Sequence, residues 1–205
     1  MAPGFCIDIE QVKGFLSTAE GNALYSTALA TGRLGPSLEI GSYCGKSTLY
    51  LAAAAARCDS MVFAVDHHSG SEEHQPGEFF HDPELLDPAT GGMDSFRCFR
   101  SSLRAAKLED WVVPLVAPSE RVARFWTTAL GLVFIDGGHS LDAAVADYRC
   151  WAHHICRGGM LAIHDVHARP EDGGQAPRAI WLLAKNSGLF EAVDQVGSLA
   201  LLRRL

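Results

Sequence analysis

The chain has little basic charge to spare. Its 17 lysines and arginines face 24 acids, for a net charge of −7. A surface that tracks phosphates is therefore not expected, and neither is a nucleic-acid partner. Long apolar runs are also missing. The longest, Leu49 to Ala56, is far too short to span a bilayer, so no membrane partner is expected. The start, Met1 to Gly14, has neither a basic n-region nor an apolar h-region, so a cytoplasmic location is expected. The six cysteines form no CxxC pair. That spacing excludes a zinc knuckle and favours free thiols in a reducing compartment. Internal repeats are absent, and Ala52 to Ala56 is the one low-complexity tract.

What is present is an alternation of apolar runs and helical periods in 205 residues, enough for one domain with a full core. Ile9 to Thr31 carries apolar residues at helical spacing and is stopped by Gly32 and Gly35-Pro36. Residues 1–36 are read as a helical cover. Ser37 to Ile40 is a strand, followed by a helix from Ser47. Met61 to Val65 is an uninterrupted apolar run ending at Asp66, as in a buried parallel strand. Residues 67–92 break the rhythm with histidines, acids and prolines, and are read as a lid or substrate insertion. The pattern then resumes: a helix over Met93–Lys107, a strand over Trp111–Val116, and a turn at Pro118-Ser119-Glu120. A strand from Leu132 ends at Asp136, and a helix carries Leu141, Ala144, Val145, Tyr148 and Ala152 on one face. Gly158-Gly159 is expected to close that helix, before a strand over Met160–Ile163 delivers His164-Asp165. A last helix and a β-hairpin over Phe190–Leu202 end the chain. This order predicts an α/β fold: a doubly wound, mostly parallel sheet with a C-terminal antiparallel hairpin. Ligands bind such sheets at the carboxyl ends of the strands, where Glu39, Asp66, Ser119, Asp136, His139, His164 and Asp165 converge.

The central stretch is Leu-Glu-Ile-Gly-Ser-Tyr-Cys-Gly-Lys-Ser-Thr, residues 38–48. Strand, glycine turn and helix N-terminus together present backbone N–H groups to a ligand. One option is a phosphate loop. That motif needs four residues between its glycines, and only Ser42, Tyr43 and Cys44 separate Gly41 from Gly45. The other is S-adenosylmethionine (SAM), with Glu39 near the cationic amino-acid end and Gly41 allowing close backbone approach. Asp66 would take the ribose hydroxyls, and the Ser119-Glu120 turn would border the adenine.

The stretch from Glu39 to Thr48 closely resembles the first motif of the catechol O-methyltransferase group of class I SAM-dependent methyltransferases. Ile135-Asp136-Gly137-Gly138-His139, and Gly158-Gly159 before His164-Asp165, look more like small bacterial methyltransferases acting on sugars and natural products. The resemblance implies a Rossmann-like fold and SAM held by Glu39, Gly41, Ser42, Tyr43, Cys44, Gly45, Ser47, Asp66, Ser119 and Asp136. It also implies a divalent metal on Asp136, His164 and Asp165, where His164 and Asp165 replace the group's acid–amide pair. An imidazole in the set admits manganese as well as magnesium. The group's basic lysine falls on His139, with His167 in reserve; an imidazole titrates in the range a general base needs. The expected activity is O-methylation of a small-molecule hydroxyl, with a saccharide or glycoside favoured as acceptor. A phosphate-loop NTPase and a non-catalytic SAM-binding module are the alternatives, and homodimer formation is left open.

Overall fold

A computed structural model of the chain describes residues 2–70, 82–138 and 140–205. Seven strands form one sheet: β1 (Ser37–Ile40), β2 (Val62–Val65), β3 (Val112–Leu115), β4 (Leu130–Ile135), β5 (Ile155–Ile163), β6 (Phe190–Val196) and β7 (Leu199–Arg204). Their spatial order is β3-β2-β1-β4-β5-β7-β6. The first five are parallel, while β7 joins β5 and β6 antiparallel. The doubly wound sheet and its closing hairpin are as the alternation of elements predicts. The order reverses between β1 and β4, which opens a crevice at their carboxyl ends.

Among the described residues, six α-helices cover the sheet: α1 (Thr18–Thr31), α2 (Lys46–Cys58), α3 (Phe96–Ala106), α4 (Ser119–Ala123), α5 (Leu141–Trp151) and α6 (Ala176–Asn186). The period-two rule of strands sorts the core into two layers. Leu132 and Phe134 face α1, α2 and α3. Val133 and Ile135 face α5 and α6. On β1, Leu38 and Ile40 join the second layer, so Glu39 points into the first, beneath the N-terminus of α2. No helix among the described residues is long and apolar enough to cross a membrane.

Two boundaries and one helix face differ from expectation. The N-terminal helix does not run from Ile9. A 3₁₀ turn spans Ile9–Gln11, and α1 starts only after Ser17. Ser17 and Glu20 form a capping box there, the Ser-x-x-Glu signature that fixes a helix start. Gly158-Gly159 does not close α5; both glycines lie inside β5. A side chain at Gly159 would meet Gly131 O at 2.8 Å, so the pair lets β5 pass close to β4 where their register shifts. Finally, α5 buries Ala144, Asp147 and Trp151, while Leu141 is exposed. Ala144, Val145, Tyr148 and Ala152 pack into the core as expected, so only Leu141 leaves the inward face and Asp147 and Trp151 join it. The proposed insertion over 67–92 lies partly outside the described residues.

Candidate active site

The turn after β1 is built by conformations few residues adopt. Gly41 has φ +83°, and a Cβ there would sit 2.1 Å from the Asp136 carbonyl oxygen. Glycine is required both for the angle and for the close approach of two strand ends. Asp66, at the end of β2, locks the turn. One carboxylate oxygen accepts from the backbone N–H of Ser42 and of Tyr43, both at 2.9 Å. The other accepts from His68 N–H at 2.7 Å. Asp66 is thus the anchor of the loop as well as a wall of the cavity beside it.

That cavity, of 680 Å³, lies across the strand ends. Among the expected cofactor residues, Gly41, Ser42, Tyr43, Ser47, Asp66, Ser119 and Asp136 line it. The Ser42 hydroxyl is buried without a hydrogen-bond partner, as suits a polar group that a ligand completes. The lining does not include Glu39, Cys44 or Gly45. Cys44 turns away and packs with Leu85 and Met93. Glu39 is fully buried behind the wall, where it accepts from Ser47 Oγ at 2.6 Å and Thr48 Oγ1 at 2.5 Å. Burial, reinforced by the charges of Asp136 and Asp66, pushes its carboxyl up to about 8 against the pull of those two hydroxyls. Lys46 lines the cavity beside the N-terminal segment, its ammonium 3.5 Å from Glu10.

β4 and β5 end one hydrogen bond apart, with His164 N–H donating to Ile135 O at 3.1 Å. This brings Asp136, His164 and Asp165 together, with one donor atom from each within 4.8 Å of the others. His164 Nδ1 lies 3.0 Å from Asp136 Oδ1 and 3.4 Å from Asp165 Oδ2. Its Nε2 faces Glu20 Oε2 at 3.5 Å. Burial alone would pull the imidazole down. The charge of Asp136 and the hydrogen bond to it, with the Asp165 and Glu20 carboxylates close by, outweigh it and push the ring up to about 12. A proton thus supplies the positive charge this acidic cluster needs, and a divalent cation could supply it instead. Two carboxylates and an imidazole make a fitting donor set, and Asp136 and Asp165 both face the cavity.

Glu20 is a site residue that no motif in the sequence marks out as one. It sits on α1 and accepts from Ser17 Oγ at 2.7 Å, and from Ser198 N–H and Oγ, both at 2.8 Å. The Ser-x-x-Glu spacing signals its cap role but not its contact with His164. His167 is not part of the cavity wall; its Nε2 lies 3.6 Å from Asp165 Oδ1. His139 lies outside the described residues.

Comparison with known proteins places this arrangement. The profile of a family described as "Methyltransferase domain" matches residues 38–166, from β1 through the end of β5. Solved structures share the fold at low identity. The O-methyltransferase NovP is 14% identical with a TM-score of 0.70, over 92% of this chain and 80% of that one. The SAH-bound methyltransferase PaMTH1 of Podospora anserina is 15% identical with a TM-score of 0.67, over 93% and 80%. An O-methyltransferase from Bacillus cereus, in complex with SAH, is 18% identical with a TM-score of 0.62, over 95% and 86%. The phosphate-loop alternative falls with these matches. With the family profile covering every strand end that bears the site, the chain belongs to the methyltransferase-domain family and has the fold of the class I SAM-dependent methyltransferases.

Proposed function

We propose that the chain binds SAM in the cavity across β1, β2 and β4 and transfers its methyl group to a hydroxyl of a small molecule, assisted by a divalent cation on Asp136, His164 and Asp165. The observation that carries this reading is the meeting of the glycine-turn cavity with the Asp136–Asp165 edge of the acidic cluster. SAM supplies an electrophilic methyl group on a sulfonium sulfur. A divalent cation at the cluster supplies charge that lowers the pKa of a nearby hydroxyl.

The chain's own residues do the rest. Asp66 holds the loop amides, so the cavity wall is preorganised before a ligand arrives. Glu20 occupies the Nε2 side of His164, leaving Nδ1 towards Asp136 and Asp165. His139, three residues after Asp136, is the base we assign to take the acceptor's proton as the O–C bond forms and the C–S bond breaks. His167, beside Asp165, is the reserve. Phe15 and Tyr43 pair their rings at 5.8 Å at the cavity, with Lys13, Ser95 and His67 also in the wall. An aromatic platform among polar groups suits a saccharide or glycoside whose adjacent oxygens reach one cation.

The test is calorimetry with SAH and ATP, then mass-spectrometric detection of methyl transfer to a panel of sugars, glycosides and catechols. SAH binding, with transfer lost in EDTA and restored by magnesium or manganese, is the expected outcome. SAH binding with no transfer to any hydroxyl, and no binding of manganese, would leave a SAM-binding module instead.

A further inference from the structure

Two cysteines meet behind the cavity wall. Cys44, in the glycine turn, is fully buried and packs with Leu85 and Met93. Cys98, in the first turn of α3, packs against the same cluster. The two backbones run side by side. A Cβ on Gly45, the next residue of the turn, would lie 3.3 Å from Phe99 Cδ2 and 3.7 Å from Phe99 O. The sulfurs are close enough for the Cys44 thiol to donate to Cys98. Tyr43, next to Cys44 in the chain, and Met93, beside it in the cluster, both stand in the cavity wall. Cys6 and Cys58 are placed differently. Their thiols donate to backbone carbonyls, to Ala106 O at 3.3 Å and to Ala54 O at 3.1 Å.

The two thiols of the pair are unlike. Cys44 is sealed, whereas Cys98 is half-buried and open to a small oxidant. The contact with Cys44 pushes the Cys98 thiol down to about 7. The Lys13 charge adds to that shift, while burial and the charge of Asp82 oppose it. The same contact, with burial, pushes Cys44 far above the usual thiol range. Burial also pushes up Cys58 and Cys150. Near neutral pH, Cys98 therefore carries the thiolate and Cys44 keeps its proton. An accessible thiolate with a second cysteine beside it captures an oxidant and then resolves to a disulfide.

We propose that Cys98 and Cys44 form a peroxide-responsive pair, in which Cys98 reacts first and Cys44 then closes a disulfide between the glycine turn and α3. The Cys98 thiolate attacks one oxygen of hydrogen peroxide. The S–O bond forms, the O–O bond breaks, and the departing hydroxide takes a proton to become water. The Cys44 sulfur then attacks the sulfenic sulfur and gives up its proton. The S–S bond forms, the S–O bond breaks, and a second water leaves. The two thiols lose two electrons, and one peroxide gains them. A dithiol reductant reverses the bond. Asp66 already holds the Ser42 and Tyr43 amides of this turn from the cavity side, so the disulfide clamps the same wall from behind.

The experiment treats the full, reduced chain with hydrogen peroxide at pH 7, blocks the remaining thiols with iodoacetamide and maps the peptides without reduction. A Cys44–Cys98 disulfide should form before the exposed Cys6 is oxidised, with the loss of both free thiols and their full recovery in dithiothreitol. In Cys44→Ser the oxidised Cys98 has no resolving partner and should be trapped as a sulfenic acid by dimedone. In Cys98→Ser the attacking thiolate is gone and Cys44 should stay reduced. A map in which Cys44 and Cys98 remain thiols at peroxide levels that oxidise Cys6 overturns the proposal, and so does one in which either pairs with another cysteine instead. The wild-type map decides this by itself, so a variant that fails to fold does not shelter the proposal.

Discussion

Glu39 gives the sharpest prediction, because it is a carboxyl in the middle of a central strand. It is wholly buried, its oxygens are met by Ser47 and Thr48 hydroxyls, and its pKa stands near 8 against an ordinary 4.5. The folded value is raised, so its contribution to stability is fully present below pH 4.5 and is lost as pH climbs towards 8. Each pKa unit corresponds to about 1.4 kcal/mol, which bounds the loss at about 5 kcal/mol. Glu39→Gln keeps the shape, keeps an acceptor for one hydroxyl and does not titrate. Urea denaturation of both proteins should be run from pH 4.5 to pH 9 without ligand. The difference curve removes every other titrating group that the two proteins share. At the acid end the variant should be no more stable than the wild type, having lost one good acceptor, a matter of about 1 kcal/mol. Moving to pH 8 it should gain on the wild type by a few kcal/mol. A difference that stays flat between pH 5 and pH 8 would refute the argument, since it would mean the carboxyl ionises inside the fold without cost.

Further outcomes follow from single contacts. Gly41→Ala should lose more than about 2 kcal/mol in urea denaturation, from the left-handed φ together with the collision with Asp136 O; a loss under about 0.5 kcal/mol would contradict the close approach. Ser17→Ala removes the hydroxyl half of the capping box and the Ser17 Oγ donor to Glu20, leaving the backbone N–H of residue 17 on Glu20, and should cost about 1 kcal/mol in the same assay. Lys13→Ala breaks ion pairs to Asp82 at 2.5 Å and Glu84 at 2.6 Å. The lysine is one-third exposed, so the effect on stability should stay under about 1 kcal/mol, read as a shift of the denaturation midpoint.

The division between what was legible in the sequence and what was not follows the range of the interactions. The parallel strands announce themselves as apolar runs ending in an acid, because a strand buried on both faces must be apolar throughout. Val62–Val65 and Leu132–Ile135 read directly in this way. The glycine turn is legible because Gly41 occupies an angle that its own chain geometry demands. Asp136, His164 and Asp165 are foreseeable as neighbours because parallel strands in register end at one edge. The inward place of Asp147 on α5 was hidden because Asp147 is polar and periodicity counts apolar residues; only Ser119, brought across from α4 with its oxygen bonded to Trp151, shows why an acid is tolerated inside. Gly158-Gly159 read as a helix stop because glycine ends helices in general, whereas here the glycines answer to the crowding of β5 against β4.

The alternation, the doubly wound sheet and the edge where the chemistry gathers follow from local periodicity and chain direction, and so from the amino-acid order alone. Which acid does what is set by contacts between distant parts of the chain. Asp66 spends its oxygens on loop amides, Glu39 is sealed behind α2, and Glu20 crosses from α1 to His164. A carboxylate's role depends on the donors and the burial it meets, and those come from residues far away in the chain.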